Sequence, residues 1–382
     1  MKCINCGTEN NYKERLANSR HCKNCNYRFV FEPKLMYSAK FSDAFFEKLV
    51  TDISVNNTLK FTDKQLFYLF NKRLIKKRGN VTSDSTFLIF LTIILGTVGF
   101  LAYQETNDIF TSVICISMSL GIGIISTFQN NRKNQELLVT YEKFQDYLNS
   151  WKAVNPINGI LTVTEQQNLP SSINSDITTY SFDRVVVCDN AEIANLLIAN
   201  NFHFENNSAV LSIDGYPENI FDTVMEMLRR NDNLKVYVLH DASPSGVSVV
   251  NTLSTNSDWF SNTSNSNVTI YDLGLLPRQV FNNSSFFFTQ ISEDSAREAQ
   301  ELPSDIKNDL TEKEIKWLEA GKYVELESFT PQRLLRVISQ GISKSRQTNI
   351  DNSSGFVDYG SPSSGNDFDS CDTTIFADDC FG

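Results

Sequence analysis

Residues 209–246 read AVLSIDGYPENIFDTVMEMLRRNDNLKVYVLHDASPSG, and their pattern decides the fold. AVLSI (209–213) is a short apolar run of strand type, and 218–230 reads as a helix. KVYVLH (235–240) is a second such run, with a helix opening at about 245. The alternation extends outward. RVVVC (184–188) precedes a helical stretch at 190–200, and NVTIYDLG (267–274) supplies a fourth strand. Strands alternating with helices predict an α/β domain with a parallel sheet covered on both faces. Chemistry in such folds collects at the carboxyl ends of the strands. Those ends carry Asp189, Asp214 and Asp241. Three carboxylates on adjacent strand ends suit a hard cation such as magnesium. Each one alone is read as a cap for the helix that follows it.

The local sequences add a resemblance. Gly215, Tyr216 and Pro217 follow the second strand. Asp241, Ala242, Ser243, Pro244, Ser245 and Gly246 follow the third. Asp272, Leu273, Gly274, Leu275, Leu276 and Pro277 come later, and Leu310, Thr311 and Glu312 open a helix with Glu314 completing a capping box. In this order and spacing, residues 184–345 resemble the Toprim domain of the A subunit of type IIB DNA topoisomerases and of the related proteins that start meiotic recombination. The resemblance implies a magnesium site beside a scissile phosphate, with a Glu after the first strand acting as acid/base and two Asp residues after the third.

This chain departs from that pattern. Asp189 stands at the Glu position, one methylene shorter, Asp241 keeps the first Asp, and Ser243 replaces the second. Fewer carboxylates attract a divalent cation less. Asp214 on the next strand end is the candidate to compensate. Gly246 suits both a loop that approaches a phosphate and a plain turn. The topoisomerases cut DNA with a Tyr in a domain before Toprim, and Tyr141 and Tyr147 lack the arginine-rich surroundings that such a nucleophile needs. His240 reads as a strand-end side chain, and Cys188 as an inert core residue.

At the other end of the chain, Cys3 and Cys6 form one C-x2-C pair and Cys22 and Cys25 another, 15 residues apart. That spacing predicts a four-thiolate metal site with zinc as the cofactor. Too small to build a core, such a stretch would take its folding energy from the metal. Residues 1–30 resemble a zinc ribbon, a motif that fixes structure and not task. His21 is read as a bystander.

Between these modules, 40–78 reads as a helical segment: Phe45, Phe46, Leu49, Val50 and Ile53 have helical spacing, and Thr62 with Gln65 forms a capping box. Residues 86–103 and 109–128 hold no charge, which predicts a transmembrane helix hairpin over 86–128. Lys72, Arg73, Lys76, Lys77 and Arg78 precede it, and Arg132 and Lys133 follow. The positive-inside rule then predicts a two-pass membrane protein with both termini cytoplasmic and the lipid bilayer as partner. Gly96, Gly99, Gly121 and Gly123 suit close helix packing and an oligomer. Residues 134–180 are read as a helix and linker. Residues 350–382 are read as a disordered acidic tail, since 351–382 hold seven Asp and no Lys or Arg.

With 34 Lys and Arg against 45 Asp and Glu, the net charge is −11, which excludes a protein that coats nucleic acid by bulk charge. The reading is a membrane-anchored cytoplasmic protein whose Toprim-like domain has lost full catalysis. It would serve as a binding or regulatory module for nucleic acid, a nucleotide or a partner protein. The alternatives are a magnesium-dependent nuclease or phosphotransfer enzyme using Asp189 and Asp241, and a membrane scaffold with no nucleic-acid role.

Overall fold

The computed structural model describes residues 1–37, 39–79, 97, 137–161, 184–218, 221–229, 233–260, 268–282, 287–348 and 356–358. The chain divides into one unit of Met1–Leu69 with Tyr141–Gly382 and a second of Phe70–Thr140. In the first unit the amino terminus forms two similar tight turns, joined by α1 (Tyr12–Ala17) with an Asn11–Glu14 capping box. Then come α2 (Asp43–Ile53), β1 (Phe61–Thr62) and α3 (Asp63–Gly79), which runs on past the unit boundary. The capping box expected at Thr62 is present: the Gln65 N–H donates to Thr62 Oγ1 at 3.1 Å, and the Thr62 N–H donates to Gln65 Oε1 at 3.1 Å.

The chain re-enters the first unit at α4 (Tyr141–Lys152) and β2 (Ile160–Leu161), which pairs in parallel with β1. The apolar side chains of α2 recur at helical spacing and face α4. Phe46 lies 5.0 Å from Trp151, and Phe31 stacks on that indole at 5.8 Å with the rings 4° from parallel. Tyr147, half-buried, packs edge-on against Phe41.

The central sheet is built from β3 (Arg184–Cys188), β4 (Ala209–Ser212), β5 (Lys235–Leu239) and β6 (Thr269–Asp272). Its order is β4-β3-β5-β6, parallel throughout. Alternate residues of one strand serve opposite faces. Val186, Cys188, Tyr237, Leu239 and Tyr271 face α5 (Ala191–Ala199) and a carboxyl-terminal helix that supplies Leu334, Ile338 and Ile342. Val185, Val187, Val236, Val238 and Ile270 face α6 (Phe221–Arg229) and α7 (Pro244–Thr255). Both faces are therefore covered, as the unbroken apolar runs require. A small antiparallel pair, β7 (Gln290–Ile291) with β8 (Lys322–Tyr323), flanks α8 (Glu312–Glu319), which opens with the expected Thr311–Glu314 capping box. The carboxyl-terminal helix is α9 (Pro331–Thr348). Within the expected acidic tail, β9 (Phe356–Asp358) pairs in parallel with β6, and the rest of that tail lies outside the described residues.

One expectation is corrected. Among the described residues no helix is long and apolar enough to cross a membrane. The two longest described helices, α3 and α9, are interrupted by charges such as Lys64 and Arg73, and Arg333 and Arg336, whereas a span needs about 20 predominantly apolar residues. The runs 86–103 and 109–128 lie outside the described residues, except Thr97, which is helical. The transmembrane hairpin, its bilayer partner, the glycine-mediated oligomer and the two-pass membrane localisation are accordingly not part of the fold described.

Where β6 ends, Gly274 lies against the His240 ring: a β-carbon there would stand 2.1 Å from His240 Cδ2. His240 is fully buried and engaged at both ring nitrogens, so it cannot step aside. Gly274→Ala is expected to destabilise the domain by about 1–3 kcal/mol through overpacking, measured as a lower urea midpoint.

Candidate functional site

Strands β3 and β5 are neighbours, so the residues that follow them meet. The Asp189 N–H donates to the Leu239 carbonyl at 3.0 Å, continuing the ladder by one residue. The Asp241 N–H then donates to Asp189 Oδ2 at 2.7 Å, and Asn190 Nδ2 donates to Asp189 Oδ1 at 3.0 Å. Asp241 is held from the other side, its Oδ1 accepting the Leu326 N–H at 2.7 Å. Leu326 arrives there because Ala242 and Val324 exchange backbone bonds of 3.0 and 3.1 Å. The two carboxylates predicted from the strand ends therefore share one rim, each tied to backbone amides.

The remaining predicted residues lie around them. Ser243 is the N-cap of α7, with its Oγ accepting the Gly246 N–H at 3.0 Å. Asp214 is solvent-exposed at the turn after β4, and Gly215 holds that turn in the left-handed region with φ of 84°. Gly246 has a packing reason to be glycine: a β-carbon would come within 2.3 Å of the Asp241 carbonyl oxygen. Among the described residues no three carboxylates converge within metal-ligand reach. The aspartates present, with Ser243 acting as a cap, do not form a set that fits magnesium.

The electrostatics of the rim are strained toward protonation. Burial, together with Asp189 and Glu327 nearby, pushes the Asp241 carboxyl well above its ordinary value, and burial raises Asp189 too. The two titrate as a pair, so the first proton taken up belongs to both. Four further residues join the same edge, and strand-end reasoning did not identify them. Glu325 and Glu327 flank Leu326, and Glu192 is in the first turn of α5. Lys64, from α3, places its Nζ 3.2 Å from Glu325, 3.8 Å from Glu327 and 3.9 Å from Glu192. The sequence hint was the Glu325-Leu326-Glu327 alternation after β8; Lys64 lies some 260 positions away and carried no local signal.

His240 occupies the fully buried neighbouring position. Its Nδ1 lies 2.7 Å from the Asp241 carbonyl, and its Nε2 is 3.1 Å from Asp272 Oδ1, an ion-pair distance at an angle too bent for a hydrogen bond. Burial alone would lower its pKa, but Asp272 outweighs burial and lifts it to about 9. Asp272 in turn is held below the ordinary carboxylate range, since the His240 charge and the Gly274 N–H at 2.8 Å outweigh its burial.

At the amino terminus the four cysteines come together. Gly7 and Asn26 adopt positive φ (72° and 59°) at the two turns, letting the Gly7 N–H reach the Cys3 carbonyl and the Asn26 N–H reach the Cys22 carbonyl. Cys3 Sγ is 3.6 Å from Cys25 Sγ, and Cys6 Sγ is 3.7 Å from Cys22 Sγ. All four sulfurs lie within 4.8 Å of one another. Thiolates at about 2.3 Å from a tetrahedral ion stand roughly 3.8 Å apart, so the quartet can hold a metal. His21 is outside it, with Nδ1 against the Asn18 carbonyl. A buried bidentate pair, Arg15 Nε and Nη2 to Glu32 at 2.9 Å each, fixes the module's helix.

Residues 184–342 match the family of the Toprim domain found in the A subunit of topoisomerase 6 and in Spo11, a match over less than half of the chain. No curated protein matches the chain. The parallel-sheet domain is thus Toprim-like and points to a nucleic-acid-related role.

A pH dependence follows from the buried groups. His240, with a native pKa of about 9 against an ordinary 6.5, adds stability that is fully present below 6.5 and lost as pH rises toward 9. Glu327, pushed up to about 8 by burial, acts with the same sign but from its ordinary 4.5 upward. Chemical unfolding between pH 5 and 9 should show stability declining with pH. Glu327→Gln should flatten the part below 8, and His240→Gln the part between 6.5 and 9.

Proposed function

We propose that this chain is a nucleic-acid-binding module whose Toprim-like strand edge has given up phosphodiester chemistry, with a zinc-bound cysteine module as the second contact. The observation that carries the reading is the fate of the carboxylates. Asp189 and Asp241 stand together, but each accepts backbone amides, and Ser243 caps a helix. A general acid/base needs a proton path to substrate, and a hard-cation site needs several free oxygens. Neither is available from this trio.

The charge distribution supports binding at the cysteine module. Residues 1–34 carry seven Lys and Arg against three Glu, a net of +4 within a chain of −11. Phosphate contact by such a patch is local and salt-dependent. The S4 donor set and tetrahedral spacing suit zinc, which would supply the module's folding energy and no redox chemistry. Bound zinc would be held by Cys3, Cys6, Cys22 and Cys25.

A magnesium-dependent nuclease is the second reading, favoured by the placing of Asp189 and Asp241 on one rim after neighbouring strands. Supercoiled plasmid incubated with the full chain and magnesium separates the two. Nicking that disappears in Asp241→Asn would establish the enzyme; no nicking by either, together with DNA binding that weakens linearly on a log–log salt plot, is the expected result.

The metal assignment has its own test. Elemental analysis of the purified chain should find about one zinc per chain, the stoichiometry of a closed four-thiolate site. Cys22→Ser should lower that content and render residues 1–30 protease-sensitive, leaving the Toprim-like domain resistant.

A further inference from the structure

We propose that the outward face of α9 is a docking surface for the phosphate backbone of duplex nucleic acid, with Arg336 as its exposed anchor and Arg333 beside it. The nucleic-acid reading above is its premise, and α9 gives the Toprim-like domain a contact of its own.

In a chain of net charge −11, α9 stands apart. Its 18 residues, PQRLLRVISQGISKSRQT, include Arg333, Arg336, Lys344 and Arg346 and no Asp or Glu. Helical spacing divides it into two faces. Leu334, Ile338 and Ile342 are buried in the core beside the sheet. Gln332, Arg336, Gln340 and Ser343 recur at steps of three and four residues, and all are exposed. The exposed row thus offers a guanidinium and neutral hydrogen-bonding groups, the side chains that contact phosphates, with no carboxylate among them. From 332 to 343 the row runs about 16 Å at the helical rise. Duplex of that length carries about ten phosphates.

The two arginines lack counter-charges. Among the described residues no carboxylate stands within ion-pair distance of either. The Arg333 guanidinium lies 5.4 Å from the centroid of the Phe329 ring, and its Nη2 is buried without a hydrogen-bond partner. Burial first, and the Arg336 charge next, lower its pKa. Ser328 Oγ, one residue before Phe329, is a second buried polar atom without a hydrogen bond. Unpaired donors are costly, and phosphate oxygens have the chemistry to pair both. Arginine suits this task through its planar fork of donors. The acids nearest in sequence do not oppose it. Glu325 is engaged by Lys64 and the Tyr68 hydroxyl. Glu327, pushed up to about 8 by burial, is largely protonated at neutral pH.

Binding of a duplex oligonucleotide to the full chain, followed by fluorescence anisotropy between about 50 and 200 mM salt, tests this. Arg333→Gln with Arg336→Gln should weaken binding about tenfold or more at the low-salt end. It should also flatten the log–log salt slope by about two, one for each lost phosphate contact. Lys48→Gln with Lys316→Gln removes the same charge from exposed positions elsewhere and should leave the slope unchanged. A second measurement needs no variant. Duplex should slow phenylglyoxal modification of Arg336 several-fold, read by mass spectrometry, and leave the exposed Arg297 as reactive as before. If wild type binds duplex but the arginine variant keeps its slope, or Arg336 stays unprotected, this inference is overturned and the nucleic-acid reading stands. Wild type that binds no duplex overturns both. Arg336 shielded before duplex is added, and released by removal of residues 359–382, assigns the face to the acidic tail and overturns the docking surface.

Discussion

The amide of Asp241 sits where β5 has stopped and α7 has not begun, so no ladder partner is due to it. A backbone donor in that position must find an acceptor or be left unpaired at real cost. Asp189 supplies the acceptor from the neighbouring strand at 2.7 Å, and Asp241 in turn receives Leu326. This short relay fixes the edge of the domain. It sets the spacing of β3 and β5 beyond their last ladder bonds, brings the Val324–Leu326 segment across the sheet, and so carries Glu325 and Glu327 to the rim.

Carboxyl groups then gather in a place with little water. Burial pushes Asp189, Asp241 and Glu327 toward the protonated form, and two basic side chains stand nearby. Imidazolium at His240 faces Asp272 beneath the rim, and ammonium at Lys64 faces the three glutamates above it.

Much of the parallel sheet was legible because its signals are local. RVVVC and KVYVL are unbroken apolar runs of strand length, Ser243-Pro244 marks a helix start, and two capping boxes are spelled out at Thr62 and Thr311. The cysteine quartet was legible for the same reason: two C-x2-C turns define their own geometry. What escaped the sequence has no local period. Lys64 meets Glu325 across 261 positions; no pattern within either segment announces the other. Gly246 stayed open between phosphate approach and turn, because the Asp241 carbonyl that would meet a β-carbon there comes from the fold around it and not from a local pattern. Two uncharged runs read as a membrane hairpin on length and hydropathy alone, and no described helix supplies such a span.

Tyr141 resumes the first unit beside the place where Leu69 leaves it: the Tyr141 hydroxyl donates to Asp63 at 2.9 Å, and its ring lies edge-on to Phe67 at 5.3 Å. Within the first unit the two ends of the chain break are therefore neighbours. With both ends held this close by contacts of the first unit itself, a longer connection between them adds only slowly to the entropic cost of closure.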